Sequence, residues 1–197
     1  MKKFLLAAAA LACLAGGAQA QVPTQEARKA LNFYGIVGLT AGGDSLATAY
    51  YTNGDTLDIH AGGLFQFGGG IDYRFTDQFS VQFGINYHVD QASARNGDIE
   101  FSRWPIELIG HYHFNESWRI GAGARFINGA KISGSGFASS ISDTKADSTV
   151  GVVLEGEYFF NPHFSVKVRG VSEKYKFPNA TEDASGNHVG AFAGFYF

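Results

Sequence analysis

The sequence predicts an all-β protein: a closed, eight-stranded, antiparallel up-and-down barrel that crosses a membrane, with short turns at one end and long loops at the other. Three observations predict it. Segments of about ten residues alternate apolar with polar or small side chains, the two-residue period of strands with unlike faces. A turn flanked by aromatic residues recurs about every 40 residues. The last strand ends on Phe197, where a ring suits a membrane interface far better than water.

In that terminal strand Phe197, Phe195, Ala193, Ala191 and Val189 form an apolar face, while Tyr196, Gly194, Phe192, Gly190 and His188 are small or carry a polar tip. The turn repeat is equally explicit. Tyr73-Arg74-Phe75, Tyr112-His113-Phe114 and Tyr158-Phe159-Phe160 are strand ends. Each is followed by a polar triplet, Thr76-Asp77-Gln78, Asn115-Glu116-Ser117 or Asn161-Pro162-His163. New strands then start at Phe79, Trp118 and Phe164. These are the short turns of successive hairpins, and Phe195-Tyr196-Phe197 ends a strand at the same level, so that the rings draw one girdle.

Between the turns, Phe79, Val81, Phe83, Ile85, Tyr87 and Val89 face away from Ser80, Gln82, Gly84, Asn86, His88 and Asp90. Trp104, Ile106, Leu108, Tyr112 and Phe114 oppose Arg103, Glu107, His111 and His113, and Trp118, Ile120, Ala122, Ala124 and Phe126 oppose Arg119, Gly121, Gly123 and Arg125. Val150, Val152, Leu154, Tyr158 and Phe160 oppose Thr149, Glu155 and Glu157, while Phe164, Val166 and Val168 oppose Ser165, Lys167, Arg169 and Glu173. With segments 31–40, 65–75 and the terminal strand, this makes eight. A soluble sandwich would alternate too, but it would not gather these charges on one face and rings at every strand end of the other. Since lipid satisfies no open edge, the sheet should close.

The remaining connections, 41–60, 90–100, 129–147 and 176–187, are longer and rich in Gly, Ser, Asn and Asp, as external loops should be. Asn53-Gly54 marks a tight hairpin in the first, by which the first two strands would continue above the membrane as a ribbon.

The amino terminus reads as a secretory signal: Met1-Lys2-Lys3, an apolar run over 4–14, then Ala18-Gln19-Ala20, with cleavage expected after Ala20. A lipoprotein signal on Cys13 is disfavoured by Ala10, where such a signal usually has Leu. The expected organisation is a cleaved peptide 1–20, a periplasmic segment 21–30 and a barrel 31–197, with no further domain after it. Cys13 is the only cysteine, so no disulfide framework or thiolate metal site is expected. Without Lys2 and Lys3 the 15 basic residues become 13 against 18 acidic ones, a formal charge of −5, which offers no footprint for nucleic acid. After residue 20 no apolar run approaches the roughly 20 residues of a membrane helix.

The turns set a register that places Glu107 opposite Arg125, Glu155 opposite Arg169 and Glu157 opposite Lys167, three opposite-charge pairs on the inner face. A charge in a narrow barrel needs a partner, and eight strands enclose little more than their own side chains, so the pairs read as a plug. The rival reading is a gate whose pairs exchange partners to open a passage. Hydrolase candidates are Asp58 with His60, His88 with Asp90, and His111 with His113 below Glu107. The register sets Gln66 opposite His88 and leaves His60 several residues higher, so the first two cannot form one site unless the loop folds over. Lumen hydrogen bonding accounts better for His111 and His113, and two-residue spacing alone is weak for a metal. The glycines at 68–70 and 121–123 lie inside strands without the Lys-Ser and helix of a phosphate loop, so close packing in the lumen explains them.

On the terminal Phe195-Tyr196-Phe197, the aromatic-flanked turns and the strand 101–108 followed by Tyr112-His113-Phe114, the chain resembles the small eight-stranded outer-membrane barrels, those similar to the transmembrane domain of outer membrane protein A and its X-type relatives. The terminal Phe resembles the insertion signal read by the barrel-assembly machinery. The resemblance implies an integral protein of the Gram-negative outer membrane without a cofactor, set among its lipid and lipopolysaccharide, acting as a structural protein, adhesin or narrow porin rather than an enzyme. An extracellular ligand would be met by the loops, with Tyr50, Tyr51, Phe137 and Phe177 as candidate contacts. The chain has no His-x-Ser-Asn stretch of the kind lipid A deacylases carry.

Overall fold

A computed structural model describes residues 30–50, 56–94, 97–134, 144–178 and 182–197. The expected signal peptide and residues 21–29 lie outside them. The strands are β1 (Leu31–Gly42), β2 (Ser45–Tyr50), β3 (Thr56–His60), β4 (Leu64–Arg74), β5 (Phe79–Ala94), β6 (Gly97–His113), β7 (Trp118–Gly134), β8 (Thr144–Lys145), β9 (Asp147–Ser148), β10 (Gly151–Asn161), β11 (Phe164–Ser172), β12 (Lys174–Lys176), β13 (Ala184–Ser185) and β14 (His188–Tyr196). Eight of them, in the order β10-β11-β14-β1-β4-β5-β6-β7, pair antiparallel, and β7 pairs with β10 to close the barrel.

Three turns join these strands as the repeat predicts, and the first residue of each triplet explains why. The Asn115 side chain accepts from the backbone N–H of Ser117 (2.8 Å) and Trp118 (2.9 Å), and Asn161 does the same for His163 (2.9 Å) and Phe164 (3.0 Å). Thr76 offers its hydroxyl to Gln78 and Phe79. Such a side chain mimics one more backbone acceptor and tightens the turn. Around them rings touch from strand to strand: Phe75, Phe79, Tyr112 and Phe114 in one series, Trp118, Tyr158, Phe160, Phe164 and Phe195 in another. A second girdle of Phe65, Phe67, Tyr87 and Trp104 lies toward the other end. Between the girdles the outer wall is apolar, with Leu108, Ile120, Leu154 and Val168 all exposed.

The upper parts of β5, β6 and β7 depart from the expected loops. They remain paired as far as Ala94, Gly97 and Gly134. The alternation there continues with its sense reversed: Ile99, Phe101, Ala130 and Ile132 point inward and are buried, while Glu100, Ser102 and Lys131 occupy the outer face. Above the membrane the outside is water and the inside is closed by protein, so the apolar face changes sides.

The filling comes from the first loop. Its hairpin β2–β3 forms a sheet of its own rather than prolonging the two barrel strands. The chain leaves β1 through Gly42 and Gly43, at φ 134° and 80°, conformations that favour glycine. It rejoins the barrel at Leu64, whose φ of 85° is unusual for a branched residue. The hairpin thereby folds over the mouth, where Ile59 and Ala61 meet Ile99, Phe101, Ala130, Ile132 and Tyr175 in one buried cluster. This apolar cap rests directly on the charged lumen.

Candidate functional site

The inner face assembles the most distinctive chemistry of the molecule. The turn register holds: Glu107 lies opposite Arg125, Glu155 opposite Arg169, Glu157 opposite Lys167, and Gln66 opposite His88. The side chains make these contacts and several more. Glu107 is 2.8 Å from both Arg125 and Arg169. Glu155 is 2.7 Å from both Arg169 and Lys167, and Glu157 is 2.7 Å from Arg119 and 3.5 Å from Lys167. Arg119 continues to Asp72 at the turn end. At the mouth, Arg125 reaches Glu173 at 2.8 Å, and Arg103 stands 3.9 Å from the same carboxylate.

The result is one chain of charges, Arg103–Glu173–Arg125–Glu107–Arg169–Glu155–Lys167–Glu157–Arg119–Asp72, five cations alternating with five anions along the lumen. Each of these residues is buried. The sequence gives the three pairs between strands joined by a short turn, Glu107 with Arg125, Glu155 with Arg169 and Glu157 with Lys167, but not Arg119 with Glu157, which lie on β7 and β10. It does not give Glu107 with Arg169 or Arg119 with Asp72, which span the lumen between strands that are not neighbours. Nor does it give Tyr196, whose hydroxyl donates to Glu157 (2.7 Å) and accepts from Arg119 (2.7 Å). The terminal triad therefore splits: Phe195 and Phe197 face outward, and Tyr196 belongs to the plug.

The histidines are tied into the same fabric. His111 Nε2 is 2.7 Å from Glu155, in a space left by Gly121, where a Cβ would fall 2.6 Å from the imidazole. His113 bonds the Ser80 hydroxyl at 2.9 Å, a buried serine–histidine pair inside the lumen. His88 lies between Arg103 (3.1 Å) and Arg125 (3.0 Å) and beneath Thr40 (2.8 Å). The first loop does fold over, and the backbone N–H of His60 donates to Asp90 at 2.7 Å, but the His60 ring turns to the Gly43 carbonyl. His111, Glu155 and Glu157 bring ligand atoms within 4.8 Å of one another, as a metal site would. Lys167, Arg169 and Arg119 already take up both carboxylates, so the chemistry of this set is that of an ion-pair network.

Cap and plug are joined through Glu173. Tyr175 donates to it at 2.7 Å, and the Arg103 guanidinium lies over the Phe101 ring at 4.8 Å. Burial pushes the Tyr175 hydroxyl up, which keeps it a neutral donor. Of the candidate loop contacts, Phe177 is half-buried with its ring 6.4 Å from Phe101. Tyr50 ends β2; its side chain, Tyr51 and Phe137 lie outside the described residues.

An apolar outer wall between two aromatic girdles, around a polar interior, defines an integral transmembrane β-barrel. The chain belongs to the outer membrane protein beta-barrel domain family, whose model matches residues 6–197, and its place is the Gram-negative outer membrane. Among solved structures it is similar to Neisserial surface protein A, with 14% identity, TM-score 0.51, and coverage of 87% of this chain and 100% of that one. It is also similar to Ail of Yersinia pestis (10% identity, TM-score 0.45, 86% and 100% covered) and OprG of Pseudomonas aeruginosa (15%, 0.42, 88% and 99%). No curated protein sequence matches.

Proposed function

We propose that this protein is a structural and surface-interaction barrel whose lumen is shut and whose contacts are made by its external elements. The observation that carries this reading is the unbroken chain of ion pairs under an apolar cap. An eight-stranded interior is about filled by side chains, and here ten of them are charged and mutually neutralised. Residues 1–20 act as the export signal, and Phe195 and Phe197 present the strand end to the assembly machinery. Lipopolysaccharide surrounds the barrel, and an extracellular ligand meets the surface above the upper girdle.

Vesicle swelling tests the closed lumen. Proteoliposomes diluted into an isotonic pentose should swell no faster than empty vesicles, and cells lacking the residues 45–60 hairpin should lose surface adhesion while keeping a folded barrel. Swelling that changes with substitution of Glu107 would favour a narrow channel gated by the pairs.

A further inference from the structure

The guanidinium groups of the lumen are not equally served. Arg119, Arg125 and Arg169 each meet two carboxylates, with contacts of 2.8 Å or less. Arg103 is as deeply buried, yet among the described residues no carboxylate comes closer to it than Glu173, at 3.9 Å. Glu173 is already engaged by Arg125 at 2.8 Å and by the Tyr175 hydroxyl at 2.7 Å. Asp90, the other acid of the mouth, gives its Oδ2 to the His60 N–H. Arg103 Nη2 meets His88 at 3.1 Å, while Nε and Nη1 have no hydrogen-bond partner.

His88 cannot make up the difference. Its two nitrogens face Arg103 (3.1 Å) and Arg125 (3.0 Å), and a neutral imidazole has one lone pair, so one guanidinium N–H is set against another N–H. Gln66, opposite His88, turns its oxygen to Arg125 and leaves Nε2 unpartnered. Asn86, two residues along β5, leaves Nδ2 unpartnered as well. Besides the ion-paired Glu173, the unpartnered acceptors here are Asn86 Oδ1 and His188 Nε2, the latter a lone pair because Nδ1 of that ring donates to the Gly186 carbonyl. All of these side chains are buried, and their N–H bonds outnumber the lone pairs.

The faces of Phe101 and Tyr175, 4.8 and 5.8 Å from the Arg103 guanidinium carbon, offset part of its charge. A buried cation with so little else needs a counter-charge. Water would bring a proton with every lone pair and no charge, whereas an anion brings acceptors alone. The neighbours are buried side chains, so the anion is small, and a single negative charge is what one guanidinium balances. We propose that one chloride ion is bound beneath the cap, held chiefly by Arg103 Nε and Nη1. The site needs no open passage, so it stands apart from the closed-lumen reading.

The test uses residues 21–197 refolded in detergent, with bromide and chloride as probes. Crystals grown with bromide as the sole halide should show one anomalous peak inside the barrel, within hydrogen-bond reach of Arg103 Nε or Nη1. In urea titrations at fixed ionic strength, replacing gluconate by chloride at ten times its dissociation constant should lower the unfolding constant about tenfold. Arg103→Gln should abolish that response in a barrel shown to be folded by its gel shift. The bromide map of the unaltered protein decides alone should Arg103→Gln fail to insert. A map without the peak, equal stabilisation by gluconate, or a chloride response that survives Arg103→Gln would overturn the proposal. A peak without any stabilisation would overturn it too, since it would mark an adventitious ion only.

Discussion

Glu107 shares its carboxylate between Arg125 and Arg169, so Glu107→Ala takes one of two carboxylate partners from each guanidinium, leaving Arg125 with Glu173 and Arg169 with Glu155, and makes the buried network one negative charge short. Removing one partner of a buried pair costs about 3–5 kcal/mol, and urea titration of the variant in liposomes should show a loss of that order. Glu107→Ala combined with Arg125→Ala should lose less than the sum of the single changes, since the two residues share one interaction. The glycines provide a sharper contrast. Gly121→Ala pushes a methyl group into His111 and to 3.0 Å from Glu155, and overpacking of this kind costs about 1–3 kcal/mol. Gly156→Ala enters open space and should be neutral or stabilising by about 0.5–1 kcal/mol, the penalty of glycine in a strand interior. The same residue type, a short distance apart on two faces of one wall, thus responds with opposite sign in the same unfolding assay.

At the scale of elements, the short turns organise everything else. Asn115→Ala removes the acceptor for two backbone N–H groups and should cost on the order of 1 kcal/mol, measured as slower barrel closure and a lower urea midpoint. These turns made the register legible in the sequence: a three-residue loop fixes which residues face each other on the two strands it joins, and the ion pairs between those strands follow, whereas Arg119 with Glu157, across β7 and β10, does not. The cap was not legible, for a physical reason. Ile99, Phe101, Ala130 and Ile132 alternate as well as any membrane segment, but the rule of apolar-out and polar-in holds only where lipid lies outside. Above the girdle the same period carries the opposite meaning, and only the folded position of β2–β3 reveals it. Phe101→Ala empties the centre of this cluster, where it touches Tyr175 and Arg103. It should expose the external hairpins to protease while leaving the membrane-embedded strands resistant, as seen by the size of the protected fragment after digestion of intact proteoliposomes.

For the whole molecule, lumen and cap are one structure. Glu173 belongs to both, holding Arg125 below and Tyr175 above, so loosening the cap should also weaken the upper end of the plug. The cross-lumen bonds from Glu107 to Arg169 and from Arg119 to Asp72 brace opposite walls and make the barrel a filled cylinder rather than a pipe. The measurement that bears most directly on this is single-channel conductance of residues 21–197 refolded in detergent and checked for the gel shift of a closed barrel. The account predicts a silent bilayer for the inserted wild-type protein. Discrete steps that change in size when Glu107 or Arg125 becomes Ala would contradict it, because they would mean that ions pass through the chain of pairs.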